Sequence, residues 1–214
     1  MHISEGVLTP AILGAGYALS VAATCAGLRK MDYSRLTTAA VLSSVFFVGS
    51  LVHVPIGPGS VHLILNGLIG LFLGWGVFPA ILVALLLQAV LFQFGGIAVL
   101  GVNTFNMAFP ALLCACVFRP FMGGETRLRM AGAFCCGFFS VAGAALCTAL
   151  ALAVTDEGFL TSAKLLLLTH IPVMAVEGFI TALAVSFIAR SRPELLLFSV
   201  KRKGGAPCGI TRPA

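Results

Sequence analysis

Long apolar runs, broken only by short polar connections, constrain this chain more than any other feature. Seven can be marked: Val7–Leu28, Leu36–Val52, Ser60–Trp75, Phe78–Phe94, Thr104–Phe118, Met130–Val154 and Ile171–Ala189. Each is near the ~20 residues that a helix needs to cross about 30 Å of hydrocarbon. In lipid a backbone must satisfy its own hydrogen bonds, and continuous rather than alternating runs do so as helices, not as barrel strands. Only 9% of the 214 residues are charged, and mean hydropathy is +1.08. Soluble domains carry about 25% charged residues, so this composition cannot cover a water-exposed surface. The expected fold is an all-α polytopic membrane protein with seven transmembrane helices. One domain spans residues 1–195, opening with an external segment over 1–6, and a cytoplasmic tail follows over 196–214.

Charge sets the orientation. Of 13 Lys and Arg, three follow the first run in RKMDYSR, three the fifth in RPFMGGETRLR and six the seventh, while Lys164 alone lies in an opposite connection. The positive-inside rule then predicts an external N-terminus, a cytoplasmic C-terminus and an odd number of crossings in a cell (plasma) membrane. The net charge of +6 is a topology signal of this kind, not a nucleic-acid face. The third and fifth runs are short and adjoin loops rich in Gly, Pro or Asn, so a broken or re-entrant segment is expected there. GLIGLFLG aligns Gly67, Gly70 and Gly74 along one helix, a packing signal. The seven cysteines read as small buried hydrophobes. There is no GxxxxGK[ST] phosphate loop, no HExxH, no GxSxG and no carboxylate cluster. ATP hydrolysis by this chain, intramembrane proteolysis and Ca or Mg binding therefore lack their usual residues.

The informative residues are polar ones near hydrocarbon. All four histidines, His2, His53, His62 and His170, fall at external edges of the runs, and imidazole is a common ligand for Zn, Cu and Ni. MHISEGVLTP lacks the basic start of a secretory signal, and the bulky His2 disfavours removal of Met1. A Met1 amine, the His2 peptide nitrogen and the His2 imidazole can chelate one metal through fused rings, nearly in a plane. A fourth nitrogen completes a tetragonal site; an incidental polar terminus is the competing reading. The fourth candidate is His62 in LVHVPIGPGSVHLILNG, where Ser60 is placed as a helix N-cap and His62 in the first helical turn. A loop histidine hydrogen-bonded to its surroundings is the alternative, and His53 is either a partner that orients His62 or a further ligand. Asn103, Asn106 and Met107 stand at a loop-to-helix junction, as caps or as hydrogen-bond partners of neighbouring loops. His170 and Glu177 share a helix face if Pro172 starts that helix, and Glu177 needs a buried partner. Glu5 completes the set of candidates that surround the ligands.

MHISEG, VPIGPGSVH, GGIAVLGVNTFNMAF and HIPVMAVEG, in this order from residue 1 to about residue 178, resemble the motifs of the CbiM/NikM family. These are substrate-specific S components of energy-coupling-factor ABC transporters for cobalt or nickel. The resemblance implies seven spans, with the N-terminal segment inserted from outside. It implies Co2+ or Ni2+ as transported substrate, held by the Met1 amine, the His2 backbone and imidazole nitrogens, and the His62 imidazole. It also implies a transmembrane coupling (T) subunit, two cytoplasmic ATPase subunits and, in many systems, a small auxiliary membrane protein. ATP hydrolysis belongs to those partners, not to this chain, and no organic cofactor is involved. HLILNG departs from the small-residue run usual after the loop histidine. The competing function is an autonomous divalent-metal channel or secondary carrier.

Overall fold

In the computed structural model the described residues are 2–51, 53–56 and 59–192, with the side chains of 53–61 excluded. They form seven α-helices: α1 (Pro10–Lys30), α2 (Leu36–Gly49), α3 (Asn66–Leu73), α4 (Val77–Phe92), α5 (Leu100–Phe118), α6 (Thr126–Thr155) and α7 (Leu160–Ser191). An antiparallel hairpin of β1 (His53–Ile56) and β2 (Gly59–His62) separates α2 from α3. Among the described residues five helical stretches are long and apolar enough, by length and composition, to cross a membrane: Pro10–Lys30, Asn66–Phe92, Leu100–Gly123, Thr126–Thr155 and Glu157–Ser191, the second of which contains the turn between α3 and α4. Burial is distributed accordingly. Val90, Val117, Phe179, Leu183 and Phe187 are more than half exposed, while Ser50, Asn66, Gln88, Ser140 and Glu177 are fully enclosed. Water would penalise that arrangement and lipid permits it. The protein is a multi-pass helical membrane protein.

The third apolar run departs most from expectation. Its first residues do not start a helix: Gly59–His62 is a strand, in register His53↔His62 and Pro55↔Ser60. Ser60 therefore caps no helix, and His62 ends a strand. Leu65 then turns the chain in a left-handed conformation (φ +54), and α3 begins at Asn66. The hairpin pairs backbone groups that the Pro- and Gly-rich stretch cannot pair as a helix. The second run is also short of a crossing. Its 14 helical residues span about 21 Å at 1.5 Å per residue.

All eight residues of α3 are buried. A Cβ on Gly70 would lie 2.5 Å from the Ala111 carbonyl oxygen of α5, and one on Gly67 would lie 2.8 Å from that of Cys136 in α6. Gly74, with φ +53, ends the helix. The three glycines thus serve two neighbours and a turn rather than one packing face. Asn66 donates its side-chain amide to the carbonyls of Met107 (3.0 Å) and Ser140 (3.3 Å). Asn66 beside Met107 and Gly70 beside Ala111 make α3 parallel to α5, entered two turns below the start of α5. The chain reverses around Gly74–Gly76, and α4 returns to the end from which α5 departs. Beside this turn, the Lys30 ammonium at the end of α1 lies 3.9 Å over the Trp75 ring. α2 lines up along α4, where Ser43 donates to the Ala80 carbonyl (2.8 Å) and Gln88 donates to the Ser50 hydroxyl.

The helix expected from Thr104 begins instead at Leu100. The helix expected to start at Pro172 begins at Leu160 and runs through Pro172, whose missing N–H leaves the Leu168 carbonyl without its helical donor. Membrane helices tolerate such a gap when neighbours pack around it. α6 supplies that packing: a Cβ on Gly137 would sit 2.6 Å from the Thr181 hydroxyl, and one on Gly178 would sit 2.8 Å from the Phe134 ring.

Candidate metal site

The segment ahead of α1 has no helix to satisfy its backbone, and side chains from elsewhere do so. Asn103, in the first turn of α5, accepts from the Ile3 N–H (3.0 Å) and donates its amide to the Ile3 carbonyl (3.1 Å). It pairs both backbone groups of Ile3 as a neighbouring strand would. Ile3 itself is fully enclosed. The Glu5 N–H donates to the Gly95 carbonyl (3.1 Å), and the Glu5 carboxylate accepts from the Ala98 N–H (2.8 Å). Gly96, with φ +116, permits this approach: a Cβ there would stand 2.2 Å from Cγ of Glu5, in a conformation L side chains rarely adopt. α1 braces the cradle from behind, with Tyr17 donating to the Ile97 carbonyl and Ser20 to that of Gly101 (2.5 Å).

The pinned segment delivers His2 against His62. The two rings stack with centroids 4.7 Å apart and planes 20° apart, and both residues are buried. His62 Nδ1 lies 2.7 Å from the Leu63 carbonyl oxygen. Carbonyl oxygen only accepts, so Nδ1 carries the proton and Nε2 presents its lone pair. That Nε2 is enclosed and has no hydrogen-bond partner. A second proton on this enclosed Nε2 would be a buried donor and a buried charge with no acceptor, so the ring is read as neutral, the state that binds a metal.

Glu177 fixes the path of the chain out of β2. Its carboxylate accepts the N–H groups of Ile64 and of Leu65, the latter at 2.9 Å to each oxygen. It anchors the left-handed entry into α3 and through it the position of His62. One helix face carries Glu177 and, seven residues earlier, the fully buried His170. His170 Nδ1 lies 2.7 Å from the Leu166 carbonyl, and its Nε2 is enclosed without a hydrogen-bond partner. A cavity of about 250 Å³ lies between the end of β2 and α7, bounded by His62, Leu63, Pro172, Val173 and Val176.

Other candidates take different places. Val99, not an asparagine, occupies the cap position of α5. Asn106 donates across to the Thr148 hydroxyl of α6 (3.5 Å), and the Met107 side chain is core. His53 is the backbone partner of His62; its side chain, that of Ser60, and Met1 lie outside the described residues. The six described cysteines are free thiols. Asn66 and Gln88 were passed over by the sequence reading. Their signal was present, since each is an uncharged polar residue inside an apolar run and such residues need a partner. Among the described residues no three His, Cys, Asp or Glu side chains gather in metal-binding geometry. His2 and His62 are the two imidazoles that the described fold stacks together.

Comparison with known proteins identifies the family. A family model described as the cobalt uptake substrate-specific transmembrane region matches residues 2–195. A Haemophilus influenzae protein assigned to metal transport is 44% identical over 199 residues, covering 92% of this chain and 97% of that one. The fused nickel transport protein NikMN of Rhodobacter capsulatus is 31% identical over 234 residues, 97% of this chain and 66% of that longer protein. The crystal structure of a transition metal transporter aligns with a TM-score of 0.79 at 28% identity, over 89% of this chain and 93% of the other. Matched along nearly its whole helical length, the chain belongs to the CbiM/NikM family of membrane components of cobalt and nickel transport.

Proposed function

We propose that the protein is the substrate-binding membrane component of an energy-coupling-factor importer, capturing Co2+ or Ni2+ outside the cell and delivering it inward. One observation carries the reading: the N-terminal segment is pinned into the fold so that His2 lies face to face with a neutral, buried His62. The donors are the Met1 amine, the His2 peptide nitrogen, the His2 imidazole and His62 Nε2. Four nitrogens near one plane suit Ni(II) and, by the Irving–Williams order, Cu(II) still better, so selectivity rests on geometry and metal availability. The names of NikMN and of the cobalt transport protein CbiM of Geobacter sulfurreducens, 28% identical over 99% of this chain and 66% of that protein, support nickel or cobalt as cargo.

The charge distribution supports an external N-terminus, seven crossings and a cytoplasmic C-terminus. The hairpin leads down to the short α3, and irregular backbone there is tolerated at membrane depth because it is enclosed in protein, with His62 lining a pocket. The chain lacks a phosphate loop, and its energy comes from a coupling subunit and two ATPase subunits, with a small auxiliary membrane protein as a further partner.

Calorimetry on the purified protein tests the site. Wild type should bind one Ni2+ or Co2+, and His62→Ala should bind none. One uncleaved residue added ahead of Met1 should abolish high-affinity binding; unchanged affinity would falsify amine ligation. In liposomes the chain alone should pass no metal, and ATP-independent flux would instead establish a carrier.

A further inference from the structure

α2 is thinly packed. Of its 14 residues only Ala39 and Phe46 are buried. Its side-chain ties to α4 are the Ser43 hydroxyl on the Ala80 carbonyl and the Gln88 amide on Ser50 and the Phe47 carbonyl. Between α2, the end of α1 and α4 runs an apolar groove of about 610 Å³, walled by Leu28 and Met31, by Leu36 and Phe47, and by Val83 and Leu91. Two serines also line it, and their hydroxyls are already donated, Ser43 to the Ala80 carbonyl (2.8 Å) and Ser44 to that of Ala40 (2.9 Å). The groove presents hydrocarbon. A polar ligand would lose hydrogen bonds there, and an apolar chain has none to lose.

Size selects among apolar occupants. Leu36 to Phe47 covers about 16 Å of α2 at 1.5 Å per residue, close to the roughly 15 Å of hydrocarbon in one leaflet. Spread over that length, 610 Å³ makes a channel about 7 Å across, narrower than the about 10–12 Å of a helix with its side chains. One extended acyl chain fits, and a transmembrane helix does not enter. Charge then selects the lipid. The mouth of the groove, at Leu28, Met31 and Leu36, lies on the α1–α2 connection, which carries Arg29, Lys30 and Arg35 against Asp32 alone. The Asp32 carboxylate already accepts from the Ser34 N–H (3.0 Å) and hydroxyl (2.7 Å). Arg29 and Lys30 are exposed. Trp75 lies under the Lys30 ammonium at 3.9 Å, and the exposed Tyr33 stands in the same connection. Trp and Tyr favour the headgroup level of a bilayer, and basic groups at that level attract anionic headgroups.

We propose that the groove between α1, α2 and α4 seats one anionic phospholipid, with an acyl chain along the α2 wall from Leu36 to Phe47 and the phosphate at the basic mouth formed by Arg29, Lys30 and Arg35. The chain gives α2 the packing that its helical neighbours do not, and so holds α2 against α1 and α4. The groove shares no lining residue with the cavity beside His62, so lipid and metal occupy separate sites.

The test uses the full chain purified in a neutral detergent, titrated with phosphatidylglycerol or phosphatidylcholine of identical acyl chains, and read by native mass spectrometry and thermal unfolding. Wild type should retain one phosphatidylglycerol with a roughly tenfold preference over phosphatidylcholine, the scale expected of two excess cations. Its unfolding midpoint should rise as phosphatidylglycerol is added. Arg29→Gln with Arg35→Gln leaves Lys30 balanced by Asp32, and the preference should vanish. Arg29→Lys with Arg35→Lys should keep it, which separates lost charge from damaged structure. Val83→Trp fills the groove from a half-exposed position and should retain neither lipid, with calorimetric Ni2+ binding unchanged. Equal retention of both lipids by wild type would overturn the proposal, and so would phosphatidylglycerol binding that survives Val83→Trp. In cell membranes a phosphatidylglycerol with a photoreactive acyl chain should label the groove. Cross-linking of Val83→Cys to another protein, with no lipid label there, would give the groove to a protein partner and also overturn it.

Discussion

Asn103 and Glu177 perform the same task at two places, and they differ in one respect. Each holds a stretch of non-helical backbone beside the metal pocket. Asn103 pairs both an N–H and a carbonyl of Ile3 through a neutral amide. Glu177 takes two N–H groups with a fully buried carboxylate. Each such hydrogen bond contributes about 0.5–1.5 kcal/mol, and a buried backbone group left without its partner costs about 1–3 kcal/mol. Glu177 holds the chain entering α3, next to His62, and Asn103 holds the terminal segment, next to His2. Under the proposed function the first is expected to be part of the permanent fold and the second to hold a segment that is ordered and released.

The contrast is open to attack at both ends. Glu177→Ala leaves the N–H groups of Ile64 and Leu65 unpaired in the core. The cost is about 2–6 kcal/mol, from 1–3 kcal/mol for each of the two stranded groups. Thermal unfolding of the metal-free protein in detergent should show a large fall in midpoint, and metal binding should be lost with it. Asn103→Ala should behave differently. The same melt should move little, while calorimetric Ni2+ affinity falls on the order of 10–100-fold, because about 1–3 kcal/mol is lost from the segment alone. Equal effects of the two substitutions on unfolding would dissolve the distinction between fixed and movable clamps.

Gly96→Ala comes next. A φ of +116 disfavours any side chain, at roughly 1–2 kcal/mol, and the new methyl displaces the Glu5 carboxylate from the Ala98 N–H. Metal affinity should fall about tenfold, as a cost of that size implies, with hydrogen exchange at Ile3 accelerated. Glu5→Gln is the mildest probe, since the amide oxygen can still accept from Ala98. Its affinity should stay within about threefold of wild type, the scale of a partly exposed bond. A larger loss would mean that the negative charge itself supports the metal.

His62 shows how far the sequence reading reached. Its type and its neighbourhood of prolines and glycines marked it as a ligand candidate, and the structure gives it an enclosed, unpartnered Nε2. Its secondary structure was misjudged, because the run beginning at Ser60 is apolar enough for a helix and only pairing with His53–Ile56 makes it a strand. Pro172 misled in the same way. Proline ends helices in water, but the α6 surface supports α7 through it. Asn103 was read as a helix cap or as a hydrogen-bond partner of a neighbouring loop, and the structure shows the second. Its partner Ile3 lies 100 residues away, and nothing local identifies that pairing.

The sequence by itself determined the class of the protein, its membrane environment, the existence of the helical runs and the residue types able to bind a transition metal. Hydropathy, charge and side-chain chemistry are local properties, so a one-dimensional reading captures them. Tertiary structure alone decided that His2 meets His62, that Asn103 clamps the terminus, that Glu177 anchors α3 and that an eight-residue helix can sit wholly inside. These are contacts between residues up to 113 positions apart. They follow from which small-residue faces let helices approach closely, and that is settled by the joint packing of many segments rather than by any one of them.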